Sequence, residues 1–233
     1  MDIASRHFTA TVAPEITVLG IPVVFFMIRG LRNRPADPEF DRLNEASSAA
    51  VLSRLGADPE ALAADPVLAG YHRLHQRIGC PHNRTTIPAP ENLLKLLLKK
   101  GALPRINLLV DIYNLVSAET RLAMGAHDLA AIAGNIRFRF TDGSERFHPL
   151  GDVPRLARPR EYAYIDDGAN EVICRLEVRQ VEKTKVVPET RDCFFIIQGN
   201  ETTDPAMLQA ATGRLLEWTE RFCGGIVTML YQP

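Results

Sequence analysis

Three polar patches interrupt the apolar segments of this chain, and each carries side chains able to donate protons, accept them or hold charge. The first closes the run Leu103-Pro104-Arg105-Ile106-Asn107-Leu108-Leu109-Val110-Asp111-Ile112-Tyr113-Asn114. The second is Met124-Gly125-Ala126-His127-Asp128-Leu129, and the third is Arg179-Gln180-Val181-Glu182-Lys183-Thr184-Lys185-Val186-Val187-Pro188-Glu189-Thr190. An asparagine amide donates and accepts at once, and an imidazole can hold a water or exchange a proton near neutrality. Lys183 and Lys185 either face a phosphate or form a solvated turn. Asp128 is expected to cap the turn that follows it.

Other clusters have competing readings. His72 and His75 share a helical face, with Cys80 and His82 following, but the spacing matches no standard zinc pattern. Asp166-Asp167-Gly168 reads as a metal loop or, more simply, as a tight hairpin turn. Arg29, Arg32 and Arg34 make a basic loop that either touches a phosphate backbone or is ordinary surface. The sequence has no G-x-S-x-G elbow, and no Cys–His pair is visible in it.

The chain has 233 residues with 27 basic and 28 acidic side chains, a formal net charge of −1. That balance argues against a tight, sequence-independent grip on nucleic acid, because phosphate neutralisation needs clustered Lys and Arg. Any nucleic-acid contact is therefore expected to be local and weak. The four cysteines share no C-x-x-C spacing and read as buried thiols. The apolar stretch 16–28 is interrupted by Gly20 and Pro22 and is too short to span a bilayer. A cytoplasmic protein with no membrane association is expected.

Residue periodicity sets out the elements that must position these groups. Strands are expected at 16–19 and 23–28, where β-branched and aromatic residues cluster. Apolar residues at three- and four-residue intervals predict a helix from about 39, and Asp65-Pro66 marks the start of another. Further helices are predicted at 91–100, 106–119 and 205–222. Alternation in Ile136-Arg137-Phe138-Arg139-Phe140 predicts a strand, with Asp142-Gly143 as its hairpin turn. Strands are also expected at 146–149, 162–165, 171–176, 193–198 and 226–231. The class is α+β, with helices gathered in the N-terminal half and antiparallel strands in the second.

The three patches, in this order, resemble the tRNA-contacting and editing module (B3/B4) of the β subunit of bacterial phenylalanyl-tRNA synthetase. The likeness spans about residues 84–199, and the flanking pieces fit free-standing relatives of the module. It implies the editing-domain type of α+β fold, one domain over 1–233. In the family a helix ends in an asparagine facing a ligand pocket, and the matching residue is Asn114; the alternative is that Asn114 tethers a neighbouring loop. The synthetase has Met-His-Ala-Phe-Asp in the second patch. Here Gly125 stands in place of the His, and His127 falls at the Phe position. A strand period of two would put residues 125 and 127 on one face. The family's paired glycines are absent from the third patch. Its tyrosine-sensing carboxylate falls at Lys183, with Glu182 one place away, so selectivity for tyrosine does not carry over.

By resemblance, Asn114 and His127 are the catalytic candidates. Substrate contacts are expected from Asn107, Gly125, Ala126, Asp128 and Arg175, and from Glu182, Lys183, Thr184 and Lys185. Neither cofactor nor metal is implied. The implied activity is hydrolysis of the ester linking a misattached amino acid to a tRNA 3′ end, with the aminoacyl-tRNA as partner. The alternatives are a non-catalytic binder of tRNA or of an amino-acid-like ligand, and an unrelated hydrolase or metal-dependent enzyme on the same scaffold. Aminoacylation is not expected.

Overall fold

A computed structural model describes residues 8–56, 60–80 and 83–233. His82 and the first seven residues lie outside them. The chain begins with β1 (Ala10–Val12), α1 (Pro14–Thr17) and β2 (Val23–Arg29). Five helices follow: α2 (Pro38–Leu55), α3 (Glu60–Ala64), α4 (Pro66–Arg77), α5 (Ala89–Lys100) and α6 (Leu108–Thr120). Strands then dominate: β3 (Ala123–Asp128), β4 (Ile136–Phe140), β5 (Arg146–Phe147), β6 (Arg155–Leu156), β7 (Tyr162–Asp166), β8 (Glu171–Arg175), β9 (Arg179–Gln180) and β10 (Cys193–Gln198). The chain closes with α7 (Pro205–Cys223) and β11 (Ile226–Tyr231).

Two sheets result. An antiparallel four-stranded sheet has the order β11-β2-β10-β3, and a mixed seven-stranded sheet has the order β1-β4-β7-β8-β5-β6, with β9 on β8. The smaller sheet is the middle layer. Along β2, Val24, Phe26 and Ile28 face the helices, while Val23 and Phe25 face the second sheet. β10 repeats the division, with Cys193, Phe195 and Ile197 on the helical side and Phe194 and Ile196 on the other. A strand covered on both faces needs apolar residues at every position, which is what Cys-Phe-Phe-Ile-Ile supplies. Phe26 stacks on Phe195 with centroids 4.8 Å apart on the helical side.

Local chemistry sets the helix ends. Asp37, Asp65 and Asp204 each accept backbone N–H bonds as N-caps, and each is followed by proline in the first turn. The Asp65-Pro66 start and the closing helix–Gly-Gly–strand unit match expectation. The segment 16–19 does not. Pro14 fixes the first helical φ, the Ala13 carbonyl receives the N–H groups of Ile16 and Thr17, and one helical turn forms in place of a strand. Of its apolar residues Ile16 is buried, whereas Val18 is 82% exposed.

Asp142-Gly143 turns the chain but joins no hairpin. β4 pairs with β1 and β7, while β5 pairs with β6 and β8. The buried Glu145 carboxylate accepts the Asp142 and Gly143 N–H groups at 3.1 Å and pairs with Arg139, so the turn swings β5 away from β4. Asp166-Asp167-Gly168, in contrast, is the β7–β8 hairpin. The Asp166 carboxylate accepts N–H bonds from Ala133, Gly134 and Gly168, which leaves it no role as a metal ligand.

That hairpin depends on two glycines in backbone contact. A Cβ on Gly134 would lie 2.2 Å from the Gly168 nitrogen, and neither backbone can yield. Gly134→Ala is expected to destabilise the protein by about 3 kcal/mol, the upper end of overpacking. Gly213→Ala, in α7 with nothing within 4 Å of the added methyl, should stabilise by about 0.5–1 kcal/mol. Urea denaturation midpoints of the two variants check the contrast.

Candidate functional site

β3 is the edge strand of the four-stranded sheet, and its period of two sorts the second patch. Met124 and Ala126 belong to the helical core, with Ala126 wholly buried. Gly125 and His127 face the other way, into a cavity of about 240 Å³ between α5, α6, β3 and the β7–β9 region. Asn114 on α6 lines the same cavity, as do Gln180, Gln198, Glu177, Tyr164 and Tyr113.

Two groups in this wall are poised for a ligand. Asn114 is 8% exposed, and among the described residues its amide has no hydrogen-bond partner, so it tethers no loop. His127 is 1% exposed; Nδ1 lies 2.8 Å from the Thr184 hydroxyl, and Nε2 is buried without a partner among the described residues. Buried polar atoms left unsatisfied are uncommon and point to a ligand or a water. Burial pushes His127 down to about 3, so the ring is neutral throughout the physiological range. A neutral imidazole with so low a basicity holds a water by hydrogen bonding rather than by taking its proton.

The cavity's far end is a closed polar network. The Tyr164 hydroxyl donates to Gln198 Oε1 at 2.6 Å, and Gln198 Nε2 donates to Glu177 Oε2 at 3.0 Å. Tyr162 also donates to Glu177, and His75 Nε2 lies 2.6 Å from its second oxygen. Burial raises the Glu177 carboxyl, but attraction to His75 and the bonds from His75 and Tyr162 outweigh it and hold the group below the usual carboxylate range. The two histidines considered as metal ligands are thus engaged, His75 with Glu177 and His72 with Glu91 at 2.6 Å. No group of three metal-ligating side chains occurs among the described residues. Cys174 lines the cavity, but burial pushes its thiol up to about 12, so it does not supply a thiolate.

Of the expected site residues, the fold brings Asn114, Gly125 and His127 together. The other eight do not line the cavity. Asn107 caps α6 and bonds Asn33, while Asp128 caps the turn Leu129–Ala131 and accepts from Thr190. Arg175 is locked to Glu161, with Nη2–Oε1 at 2.7 Å. Lys185 pairs with Glu182 and Lys183 with Glu171, all on the outer side of the chain, and Thr184 acts through its bond to His127. The basic loop is partly committed too, since Arg34 pairs with Asp37 and donates to the Phe222 carbonyl.

Sequence reasoning missed Glu177 and Gln198, whose surrounding residues carry no distinctive pattern, and gave no role to Gln180 although it lies within the third patch. Gln180 also explains Gly125. A Cβ on Gly125 would lie 2.3 Å from Gln180 Nε2, so the glutamine amide occupies the room that a side chain at 125 would take.

The sequence pattern described as the B3/4 domain matches residues 80–224, well over half of the chain. The chain belongs to the B3/4 domain family. Its fold is similar to that of an N-terminal fragment of the phenylalanyl-tRNA synthetase β-subunit from Pyrococcus horikoshii, with a TM-score of 0.50 at 14% identity. The likeness covers 95% of this chain and 50% of that fragment, so the chain spans half of its length. No curated protein matches by sequence. The family match reaches beyond 84–199 at both ends, taking in α7 on the C-terminal side.

Two predictions follow from the wall of this B3/4 cavity. Gly125→His alone is expected to destabilise by about 2 kcal/mol, and adding Gln180→Ala should recover most of that loss. The double-mutant cycle in urea should give a coupling of about 1–3 kcal/mol. His127 makes stability pH-dependent with a fixed sign. Its pKa is lowered on folding from 6.5 to about 3, so the unfolded chain takes up the proton first as pH falls. This contribution is intact above 6.5 and declines by about 1.4 kcal/mol per pH unit below it. From pH 7 to 5 the wild type should lose about 2 kcal/mol more than His127→Gln, read from urea midpoints at the two values.

Proposed function

We propose that this B3/4 domain takes the aminoacyl group at a tRNA 3′ end into its cavity and hydrolyses the ester that links them. The carrying observation is that Asn114 and the Nε2 edge of His127, both buried and unpartnered among the described residues, line one cavity of about 240 Å³. That volume is below the roughly 300 Å³ at which drug-sized ligand sites begin, and suits a single amino-acid moiety. An aminoacyl ester is already activated, so positioning a water and stabilising the developing oxyanion supply most of the chemistry. In this reading the His127 Nε2 edge holds the water, and the Asn114 amide donates to the carbonyl oxygen as it gains charge. The water oxygen bonds to the carbonyl carbon, the carbon–ribose oxygen bond breaks, one of the water's protons passes to the departing ribose oxygen so that it leaves as a hydroxyl, and the amino acid is released with a free carboxyl group. No protein nucleophile is needed, which accords with Cys174 remaining a thiol.

One observation favours a second reading, a binder without turnover. Gln180 fills the space beside Gly125, which replaces a cavity imidazole with an amide. Deacylation of a panel of mischarged tRNAs separates the two. Asn114→Ala is expected to lower turnover by about 100-fold, the effect of losing one oxyanion donor. Because His127 stays neutral, the rate should show no inflection from it between pH 5 and 8. A wild type that retains aminoacyl analogues but hydrolyses no ester would establish the binder, and failure of both assays would sink the site.

A further inference from the structure

His127 and Thr184 come from different patches of the sequence and meet in one hydrogen bond, between Nδ1 and the threonine hydroxyl at 2.8 Å. Lys183 and Lys185 are exposed, whereas Thr184 between them is 1% exposed. β3 holds the threonine in place, since its carbonyl accepts the N–H of Asp128, the residue after His127, at 2.9 Å. On its other side His127 lies in register with Phe194 of β10, whose ring is 6.4 Å away between centroids and offers no polar atom. Among the described residues Thr184 is therefore the one polar partner of this imidazole.

Counting hydrogens decides which ring nitrogen carries one. A neutral imidazole has a single N–H, and a hydroxyl always has a hydrogen to donate. Suppose that Nδ1 held the ring hydrogen and donated it to Thr184 Oγ1. The threonine hydrogen would then have no acceptor, and Nε2 would be a bare lone pair, so two buried groups would go unpaired among the described residues. Suppose instead that Nε2 holds it. Thr184 then donates to Nδ1, and the Nε2–H alone is left over, on the cavity side. One unpaired buried group fewer favours this arrangement by about five- to 150-fold. Because burial keeps the ring neutral, no second ring hydrogen intervenes.

We infer that Thr184 is a positioning residue that fixes His127 as the Nε2–H tautomer, so that the imidazole offers the cavity a hydrogen-bond donor and never a base. The tautomer stands on the hydrogen-bond accounting alone; its use in hydrolysis rests on the reading of the cavity as an aminoacyl-ester site. There the Nε2–H donates to the oxygen of the attacking water, which keeps both of its hydrogens until that oxygen bonds to the carbonyl carbon. When the carbon–ribose oxygen bond breaks, its electron pair goes to the ribose oxygen, which takes one of those hydrogens as a proton. His127 thus places the water, and Thr184 keeps the placing hydrogen on the correct nitrogen. A hydroxyl suits this task where a carboxylate would not, because it orients the ring without adding a charge that would raise its basicity.

The test uses the full chain labelled with the heavy nitrogen isotope and long-range proton–nitrogen NMR correlation near neutral pH, which distinguishes a protonated ring nitrogen from a bare one. The chain has six histidines, and the signals of His127 are those missing from the His127→Gln spectrum. The wild type should show His127 in the Nε2–H pattern. Thr184→Ser, which keeps the hydroxyl, should show the same pattern. Thr184→Val, which cannot donate, should move the signals toward the average of the two tautomers. In deacylation Thr184→Val is expected to lower kcat by roughly tenfold with little change in KM, and Thr184→Ser to keep most of the wild-type rate. An Nδ1–H pattern in the wild type would overturn the inference, whatever the variants do. So would a Thr184→Val chain, folded by its urea midpoint, whose His127 signals match the wild type. The two readings fail separately. An Nε2–H ring in a protein that hydrolyses no mischarged tRNA removes the catalytic reading and keeps the role of Thr184. Hydrolysis by a protein whose ring is Nδ1–H removes the tautomer assignment alone.

Discussion

Burial of β10 on both faces is the constraint from which the rest of the architecture follows. Its five apolar residues leave no face for solvent, so the helices must cover one side and the seven-stranded sheet the other. β3 pairs along the whole of β10 and inherits the same two environments. Ala126 is thereby committed to the helical core, and Gly125 and His127 to the opposite face. The site's geometry is thus a by-product of sheet pairing: a slip of one residue between β3 and β10 would exchange the two sets. The carbonyl of Thr184, 2.9 Å from the Asp128 N–H, and the Asp192 carbonyl, bonded to the Leu129 N–H, hold the end of the strand in register.

How far the sequence could be read depended on whether a residue's role was local. Asp65-Pro66, Asp204-Pro205 and Gly224-Gly225 fix their helix ends by chemistry within a few residues, and their signals survive in the fold. Residues 16–19 have strong strand propensity, but Pro14 and the Ala13 carbonyl form a helical turn before that propensity can act. Asp142-Gly143 has the composition of a hairpin, yet the buried Glu145 redirects the chain. A turn signal specifies a reversal; the partner of the next strand is decided by tertiary packing.

The site divides in the same way. Asn114 and His127 were legible because each sits in a distinctive patch, and β3 turned the two-residue period into a shared face. Glu182, Lys183 and Lys185 were equally distinctive as a charge run, but a run of charge marks solvent exposure more reliably than it marks a ligand. Gln180, by contrast, has significance only through the empty position opposite it, since the glycine at 125 and the amide at 180 fill one space between them. Such complementarity joins positions 55 apart along the chain by contact alone, and no single-sequence period encodes it.

Net charge is a poor guide to a surface when one sign is preferentially spent on structural hydrogen bonds. This chain is almost neutral, but many of its carboxylates are spent on structural hydrogen bonds. Asp37, Asp65, Asp128 and Asp204 cap helices and turns, Asp166 closes the β7–β8 hairpin, Glu145 builds the turn after β4, and Glu177 sits in the buried network. Arginines have no comparable role in capping N–H groups, because a guanidinium only donates. They collect at the surface by default, and the segment from β5 to β7 shows the result in Arg146, Arg155, Arg158 and Arg160. A formal charge of −1 therefore says little about how charge is distributed over the surface of a chain that uses its acids as structural caps.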